Sequence, residues 1–312
     1  MTPNSGTAGA RRDIAAEITA KILADLEHGV MPWRKPWDGA RTGAPLGLPQ
    51  RATGELYRGV NIVLLWIAAA EAGYRSRHWF SFRQAAALGA SVRKGERGET
   101  VVYYGRAHRE RIDVDGAVAE DKFRFLRSYV VFNAAQIDGL PDRFFIEPVA
   151  AGSLGPIGWH EAWFAKLDIA RIVTADRACY IPSKDVIGMP PIGAFDSTDL
   201  YAQTLDHEAV HATAAPHRLA RDYAKRYPKT AYAVEEITAE LGAAFLGAHL
   251  GLPPGHINDH SAYIGDWIRA LRDDRRAFLE AAGKAQAAVD WLLAKSPPPT
   301  FSNQVGIAHV AA

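Results

Sequence analysis

The chain has 312 residues, 48% of them apolar and 23% charged, with a formal net charge of +1, which is typical of a globular protein of about two domains. Cys179 is the single cysteine, so an internal disulfide is excluded and a reducing compartment is indicated. The longest apolar stretch, residues 60–70, is too short for a membrane span and no signal peptide is recognisable, so we expect a cytoplasmic protein that binds no membrane.

The N-terminal half is predicted to combine helices with a β-hairpin. Residues 1–12 are small, polar and aperiodic, and we expect a disordered tail there. Apolar residues recur every four positions from Ile14 to Leu26, which predicts a helix over residues 13–28. Further elements are predicted at residues 57–72 and 82–88 (helices), 99–104, 111–114 and 124–133 (strands), and Asp115-Gly116 (a hairpin turn).

A stretch rich in proline and glycine separates two predicted domains. We place the linker at residues 141–156, between a domain of residues 13–140 and a domain of residues 157–295. Residues 296–312 are expected to form a flexible tail. The elements predicted after the linker are residues 159–167 (helix), 170–174, 178–181 and 185–188 (strands), and 197–214, 232–250, 259–271 and 274–293 (helices). We therefore expect an α+β fold whose second domain is mostly helical with a small sheet.

Charge is distributed unevenly between the two halves. Residues 1–140 contain 20 Lys and Arg against 15 Asp and Glu, whereas residues 141–312 contain 16 against 20. A basic half joined to an acidic half indicates two different roles. The basic half is the one expected to face a polyanion.

The run His207-Glu208-Ala209-Val210-His211 has the spacing of a zinc-binding HExxH helix. Histidines at i and i+4 lie on one face of a helix, one turn apart, where both can bind the same ion. Glu208 lies beside them and can act as a general base on water, because zinc lowers the pKa of water to about 7. The motif therefore predicts Zn²⁺ as cofactor, His207 and His211 as ligands and Glu208 as the catalytic residue.

A bare HExxH run also arises by coincidence, so its context matters. Catalytic zinc needs a third protein ligand. Residues 233–240 are predicted to lie on a mostly buried helix with Glu236 and Glu240 on one face, beside an apolar stripe. We predict Glu236 as the third ligand and Glu240 as an acceptor that holds a histidine. Glu235 is the alternative ligand, and a solvated acidic face is the structural alternative.

A donor for a developing oxyanion is harder to assign from the sequence. The candidates are His217, Tyr223, Tyr232 and His249, each of which is more often a structural residue. An HExxH site without such a donor supports a weak peptidase or none.

Aromatic and cationic residues are interleaved along the N-terminal half. Flat rings beside arginines suit single-stranded nucleic acid, because bases stack on rings and cations follow the backbone. Glycines in residues 92–98 let that loop present N–H groups and cations to phosphates. The candidate DNA-binding residues are Trp33, Arg34, Lys35, Trp37, Tyr57, Arg58, Asn61, Trp79, Arg93, Lys94 and Arg97. The alternative is that the tryptophans are core residues and the cations a solvated face.

Several segments resemble the ArdC type of antirestriction protein, whose N-terminal domain is shared with TraC-type plasmid primases. In the N-terminal half these segments are residues 31–37 (MPWRKPW), 53–61 (TGELYRGVN), 92–98 (VRKGERG) and 129–137 (YVVFNAAQI). In the C-terminal half they are the HExxH run, His217-Arg218-Leu219 and residues 235–246 (EEITAELGAAFL). Together they follow one another over nearly the whole chain, and are far more specific than HExxH alone.

The resemblance implies an N-terminal domain that binds single-stranded DNA and a C-terminal zincin-like metallopeptidase domain of gluzincin-like fold. It implies that the protein shields incoming mobile-element DNA from host restriction enzymes during plasmid conjugation. Ala212 departs from the family pattern, which often has a bulky aromatic residue after the second histidine, so the cleft differs in shape while the ligands are kept. No acidic polymerase constellation is recognisable in the N-terminal half, so primase activity is not expected.

Three functions are compatible with these features. The first is a DNA-binding antirestriction protein that carries a zinc-peptidase-like domain. The second is a metalloprotease whose basic domain recruits it to DNA or to protein substrates, restriction enzymes among them. The third treats zinc as a structural clip, and Glu208 argues against it because a structural site needs ligands but no base.

Overall fold

The computed structural model of the chain describes residues 13–33, 47–112, 118–145, 158–252 and 261–298. Its first helix, α1 (Ile14–Glu27), begins at Asp13, whose carboxylate accepts a hydrogen bond from the Ala16 N–H and so caps the helix. The helix predicted over residues 13–28 is confirmed. It ends before Gly29, which has a positive φ of 72°.

Two further helices of the N-terminal half are also as predicted, with one difference. Helix α2 (Val60–Ala72) is buried from Val60 to Ala69. It begins three residues later than predicted, because the backbone at Gly59 (φ 57°, ψ −135°) suits glycine and cannot start the helix. The short helix α3 (Phe82–Ala87) has a capping box in which Ser81 and Gln84 each accept from the other's N–H.

The N-terminal half is built on a four-stranded sheet with the order β1-β2-β5-β4. Its strands are β1 (Gln50–Arg51), β2 (His78–Phe80), β4 (Glu99–Ile112) and β5 (Val118–Asn133). A separate two-stranded sheet pairs β3 (Ser91–Val92) with β6 (Ile137–Asp138). The strands β4 and β5 form one long antiparallel hairpin. The predicted strand 99–104 and residues 111–112 of the predicted strand 111–114 therefore belong to a single strand. Residues 113–114 and the predicted turn at residues 115–116 lie outside the described residues.

The outer edge of β4 is covered by α2. The side chain of Asn61 accepts a hydrogen bond from the Val102 N–H and donates one to the Val102 carbonyl oxygen, both at 2.8 Å. Both backbone groups of an edge residue are thereby satisfied, and α2 is fixed to the hairpin.

The C-terminal half has a small sheet followed by helices, which confirms the predicted fold class. It begins with α4 (Gly158–Phe164). The sheet has the order β7-β9-β8 and consists of β7 (Ala170–Val173), β8 (Cys179–Ile181) and β9 (Val186–Met189). The helices that follow are α5 (Thr198–Ala212), α6 (Ala231–Leu250), α7 (Ser261–Asp273) and α8 (Ala277–Lys295). Helix α5 packs on β8 and β9 on one side and on α6 on another.

One apolar core continues through both halves. The ring of Trp33, which follows α1, lies 5.8 Å from Trp267 on α7 and 5.8 Å from Phe278 on α8. The ring of Trp66 on α2 lies 6.0 Å from Phe245 on α6. We call this shared core the seam. It holds the hairpin half and the HExxH half in one fixed arrangement.

The predicted domain boundaries remain predictions. Residues 142–144 of the proposed linker form a short 3₁₀ turn, and the rest of the linker from residue 146 lies outside the described residues. The predicted tails at residues 1–12 and, from 299, at the C-terminus lie outside them too. Among the helices that the structure describes, none combines the length and apolarity that crossing a bilayer requires.

Candidate metal centre

Helix α5 carries the HExxH run on its buried side. Ser197 caps the helix by accepting a hydrogen bond from the Leu200 N–H at 3.1 Å. Residues 202–210 are buried. The rings of His207 and His211 lie one helical turn apart, with 4.8 Å between their centroids.

His207, His211 and Glu236 bring three ligand atoms together. Nε2 of His207 lies 3.1 Å from Nε2 of His211, and the two nitrogens lie 3.6 and 3.5 Å from carboxylate oxygens of Glu236. One ligand atom from each residue lies within 4.8 Å of the others. Two imidazole nitrogens and a carboxylate oxygen are a donor set for a divalent transition metal. The residues present therefore fit the ion that the sequence predicts.

A glycine lets the two ligand helices approach each other. Gly242 on α6 faces Val210 on α5, and a Cβ at residue 242 would lie 2.7 Å from Val210 Cγ2. A larger residue would push α6 away from α5, since packed interiors leave no spare volume. The small residue therefore helps to keep Glu236 within reach of the two histidines.

Each histidine of the HExxH run has a carboxylate near its Nδ1 atom. Nδ1 of His207 lies 3.4 Å from Oε1 of Glu240, and Nδ1 of His211 lies 3.0 Å from Oε1 of Glu235. Carboxylates in this position fix the orientation of the ring and raise the basicity of the ligand nitrogen. This position of Glu240 is compatible with the predicted role of an acceptor for His207, which stays a prediction. Glu235, the alternative ligand, lies behind His211 and not in the ligand group.

Arg221 holds Glu235 in place. Its side chain is 1% exposed, and it donates from Nε and Nη2 to the two carboxylate oxygens of Glu235 at 2.7 and 2.5 Å. The same guanidinium donates to Thr213 Oγ1 and to the Val210 carbonyl oxygen, both at 2.9 Å. Arg221 therefore neutralises a carboxylate next to the centre and ties α6 to the last turn of α5.

The charges of the centre favour a bound cation. Burial alone would lower the pKa of His207, but the neighbouring carboxylates, Glu236 foremost, outweigh burial and raise the pKa to about 9. Burial alone would raise the pKa of Glu236, but the neighbouring imidazoles of His207 and His211 lower it to about 2. A metal ion bound here would displace the proton of His207, because a ligand histidine must be neutral.

Glu208 is oriented by strand β8. Its Oε2 accepts a hydrogen bond from the Tyr180 backbone N–H at 2.6 Å. The Tyr180 hydroxyl donates to Asp185 at 2.7 Å, and Arg218 donates to both carboxylate oxygens of Asp185 at 2.6 and 3.0 Å. The strand that positions Glu208 is thereby tied to the His217-Arg218-Leu219 segment after α5.

Tyr232 is the candidate oxyanion donor that reaches the ligand group. Partial desolvation, together with the nearby negative charge of Glu236, raises the pKa of the tyrosine. The side chain is 61% exposed, so it lines the open side of the centre. The other candidates have different surroundings: His217 lies 3.3 Å from Asp185, Tyr223 is buried against Thr238, and His249 lies in the last turn of α6.

The structure corrects the predicted DNA-stacking role of three aromatic residues. Trp33, Trp79 and Tyr57 are 1%, 1% and 5% exposed and belong to the shared core. A ring without an accessible face cannot stack on a base. For Trp33 and Trp79 the observed role is the alternative given above, that of core residues. Three further candidates lie outside the described residues: Arg34, Lys35 and Trp37.

Asn61 and Arg58 also have partners within the chain. The amide of Asn61 is buried against Val102, which corrects its assignment to a DNA surface, because both ends of the amide are occupied. Arg58 forms an ion pair with Asp290 on α8 but keeps most of its side chain exposed. It therefore remains a candidate.

The loop between β3 and β4 presents two exposed cations, Lys94 and Arg97. Arg93 in the same loop fixes the loop to the residues after β5: its guanidinium donates to Glu96 Oε1 at 2.7 Å and to the Ala135 carbonyl oxygen at 2.6 Å. Gln136 adds a hydrogen bond to the Arg97 carbonyl oxygen at 2.9 Å. The loop is thus held against the sheet while Lys94 and Arg97 face solvent.

Arg221, Tyr180 and Asp206 lie around the centre, and no sequence motif identifies any of them. The acids Glu235 and Glu236 on a buried helix require cations, and this requirement is the one signal that points to Arg221. The backbone N–H of Tyr180 leaves no trace in the sequence. Asp206, next to the motif, pairs with His160 of α4 at 2.9 Å with both side chains buried, and so ties α4 to α5.

Two protein families match the chain. Residues 12–132 match the N-terminal domain of anti-restriction factor ArdC, and residues 159–284 match a zincin-like metallopeptidase. An uncharacterized protein of Sinorhizobium fredii, y4eC, is 40% identical over 291 residues, which are 91% of this chain and 92% of y4eC. The DNA primase TraC of Escherichia coli is 33% identical over an alignment 304 positions long, which covers 89% of this chain but 27% of the primase.

Two similar crystal structures are of the antirestriction ArdC protein from the R388 plasmid. The metal-free structure has a TM-score of 0.77 and 41% identity, covering 91% of this chain and 98% of that one. The Mn(II)-bound structure has a TM-score of 0.74 and 39% identity, covering 93% and 100%.

Proposed function

This chain belongs to the ArdC family of antirestriction proteins, and we propose that it binds single-stranded DNA and protects incoming mobile-element DNA from host restriction, with Zn²⁺ held by His207, His211 and Glu236. Its C-terminal half is a zincin-like metallopeptidase domain. The observation that carries the metal assignment is the convergence of three ligand atoms within 4.8 Å on two packed helices. This role places the protein in the cytoplasm, where restriction enzymes meet incoming DNA.

A divalent ion is supported by the related ArdC structure that contains Mn(II). Zinc is the ion proposed for this chain because two imidazoles with one carboxylate are a usual zinc donor set, whereas manganese favours oxygen ligands. The carboxylates behind both imidazoles support the same assignment, since such partners raise the basicity of ligand nitrogens.

Side chains around the centre could act in peptide hydrolysis. A bound metal ion would supply Lewis-acid chemistry, polarising a carbonyl and lowering the pKa of water. Glu208, held by the Tyr180 N–H, would take a proton from the attacking water and deliver it to the leaving amine. Tyr232 would donate to the carbonyl oxygen as charge develops on it. These contacts favour the second function, a metalloprotease recruited to DNA or to proteins such as restriction enzymes.

The DNA-binding part is supported by charge and by relatives. The match to the N-terminal domain of ArdC covers the basic half, and the TraC relatives are DNA primases. Lys94 and Arg97 are exposed on a loop that hydrogen bonds hold in place, so both side chains are free to contact phosphates.

Replacing Glu208 with glutamine separates protection from peptide hydrolysis. The glutamine keeps the acceptor for the Tyr180 N–H but cannot take a proton, so bound zinc is expected to stay near one per chain while any proteolysis falls by at least about 100-fold. We expect protection of transferred DNA in a restricting recipient to be unchanged, measured as conjugation frequency. If protection disappears with the peptidase while zinc and DNA binding persist, the metalloprotease is the correct function.

Replacing Lys94 and Arg97 together with alanine tests the DNA part. The slope of log affinity against log salt for single-stranded DNA is expected to fall by about 2, since each cation contributes about 1. Fluorescence anisotropy with a labelled oligonucleotide measures this slope. Arg269→Ala, an exposed cation of α7, is the matched control and should leave the slope unchanged. An unchanged slope in the double variant would remove this loop from the DNA site.

A further inference from the structure

The β4–β5 hairpin carries four neighbouring side chains on one face. Opposite residues of an antiparallel pair share a face, as do residues two apart in one strand. The register pairs Val101 with Tyr129, Tyr103 with Arg127 and Gly105 with Phe125. Tyr103, Phe125, Arg127 and Tyr129 therefore form one patch, which we call the hairpin face.

The hairpin face is exposed and yet ordered. Tyr103 is 52% and Tyr129 50% exposed. The tip of the Phe125 ring lies next to Gly105 of β4, where a Cβ would collide with it, and the Arg127 guanidinium lies 4.8 Å from the centre of that ring. The rings of Tyr103 and Phe125 are 6.2 Å apart. The rings of Tyr103 and Tyr129 are thus exposed to solvent, and the Arg127 side chain is held next to them by its contact with Phe125.

The charges beside the hairpin face are those of a surface for a polyanion. Between Arg93 and Tyr103 there are two acids, and both are paired: Glu96 with Arg93, and Glu99 with Lys21. Lys94 and Arg97 precede β4 and are exposed. The described part of β5 from Phe125 onward contains Arg127 and no acid. In residues 93–103 and 125–133, Lys94, Arg97 and Arg127 therefore face no acid that lacks a cation partner.

We propose that the hairpin face is the base-stacking platform for single-stranded nucleic acid, with Tyr103 and Tyr129 stacking on bases and Arg127 contacting the backbone. This rests on the proposed DNA-binding function and gives it a site. Rings with an open face bind unpaired bases of any sequence, whereas bases inside a duplex have no free face. The platform replaces the stacking role that the buried Trp33, Trp79 and Tyr57 cannot fulfil.

The test is the affinity of the full chain for an oligothymidine of about 20 nucleotides, longer than a typical site of about 4–16 nucleotides. Tyr103→Ala and Tyr129→Ala should each weaken binding by about 5- to 150-fold, the usual effect of removing one stacking ring. Tyr103→Phe and Tyr129→Phe keep the ring and should stay within about 2-fold. Phe145→Ala, an exposed ring in the predicted linker, should bind like wild type.

An abasic oligonucleotide of equal length separates stacking from charge. It keeps the phosphates and lacks the bases, so the two alanine variants should bind it as wild type does. Crosslinking of an oligonucleotide that contains bromodeoxyuridine should label Tyr103 or the segment from Phe125 to Tyr129, and it does not depend on any variant folding well.

The outcomes separate this inference from the proposed function. Absence of oligothymidine binding in the wild-type chain would overturn the DNA-binding function itself. Wild-type binding that the alanine variants retain, with crosslinks elsewhere, would overturn the hairpin face alone. If the tyrosine variants instead change the oligomeric state in size-exclusion chromatography and leave DNA affinity untouched, the face is a contact between two copies and the inference is wrong.

Discussion

Arg221→Ala is expected to lower the free energy of unfolding by about 3 kcal/mol, because it leaves the carboxylate of Glu235 next to the metal centre without its cation. The variant also loses two further hydrogen bonds, to Thr213 and to the Val210 carbonyl oxygen. Since Glu235 orients His211, zinc affinity should fall by about 10- to 100-fold. Urea unfolding followed by tryptophan fluorescence gives the first quantity and calorimetric zinc titration the second.

The matched control is Arg226→Ala. Arg226 also contacts two carboxylates, Asp274 and Glu280, at 3.0 and 3.1 Å, but its side chain is 46% exposed. Ion pairs in solvent contribute at most about 1 kcal/mol, so this variant should unfold close to wild type and bind zinc normally. Equal, small effects for the two arginines would mean that the contacts of Arg221 do not hold the centre together.

Glu236→Gln is expected to reduce zinc affinity by more than about 100-fold, because the loss of a partner behind a ligand already costs about 10- to 100-fold and here a ligand itself is lost. The amide has nearly the shape of the carboxylate, so packing is preserved. Elemental analysis after gel filtration should give about one zinc per wild-type chain, and far less for this variant.

Glu235→Gln is the neighbouring control that decides between the two glutamates. Its amide oxygen still accepts from Arg221, and the ligand group of His207, His211 and Glu236 is intact, so affinity should fall by about 10-fold. If Glu235→Gln abolishes zinc binding while Glu236→Gln tolerates it, the ligand is Glu235, the alternative that the sequence leaves open.

Features encoded by local sequence were predictable. Helix α1 follows from its apolar period and its Asp13 cap, and the HExxH run follows from spacing alone, since both depend on residues within one or two turns. Glu236 could be proposed as a ligand from the sequence for a related reason: a mostly buried helix with stacked acids needs cations nearby. The candidate metal centre could therefore be predicted from two short segments, each of which has a recognisable sequence pattern.

Features set by distant partners were not predictable. A tryptophan beside arginines has the same local pattern whether it stacks on DNA or fills a core. What buries Trp33 is the pair Trp267 and Phe278, which come more than 200 residues later. In the same way, β4 continues past Tyr104 to Ile112 because β5 supplies its hydrogen bonds. A pairing with a distant strand leaves no pattern in the local sequence.

The seam makes the two halves inseparable as building blocks. A fragment that stops before α4 would leave one side of Trp33 and Trp66 in water, and a fragment that starts there would do the same to Trp267 and Phe245. Each exposed aromatic side chain costs about 1.5–3 kcal/mol on burial scales, so each fragment would expose part of its apolar core to water. A fragment with either half alone would therefore need other residues to cover these rings, and we expect it to be less stable than the whole chain.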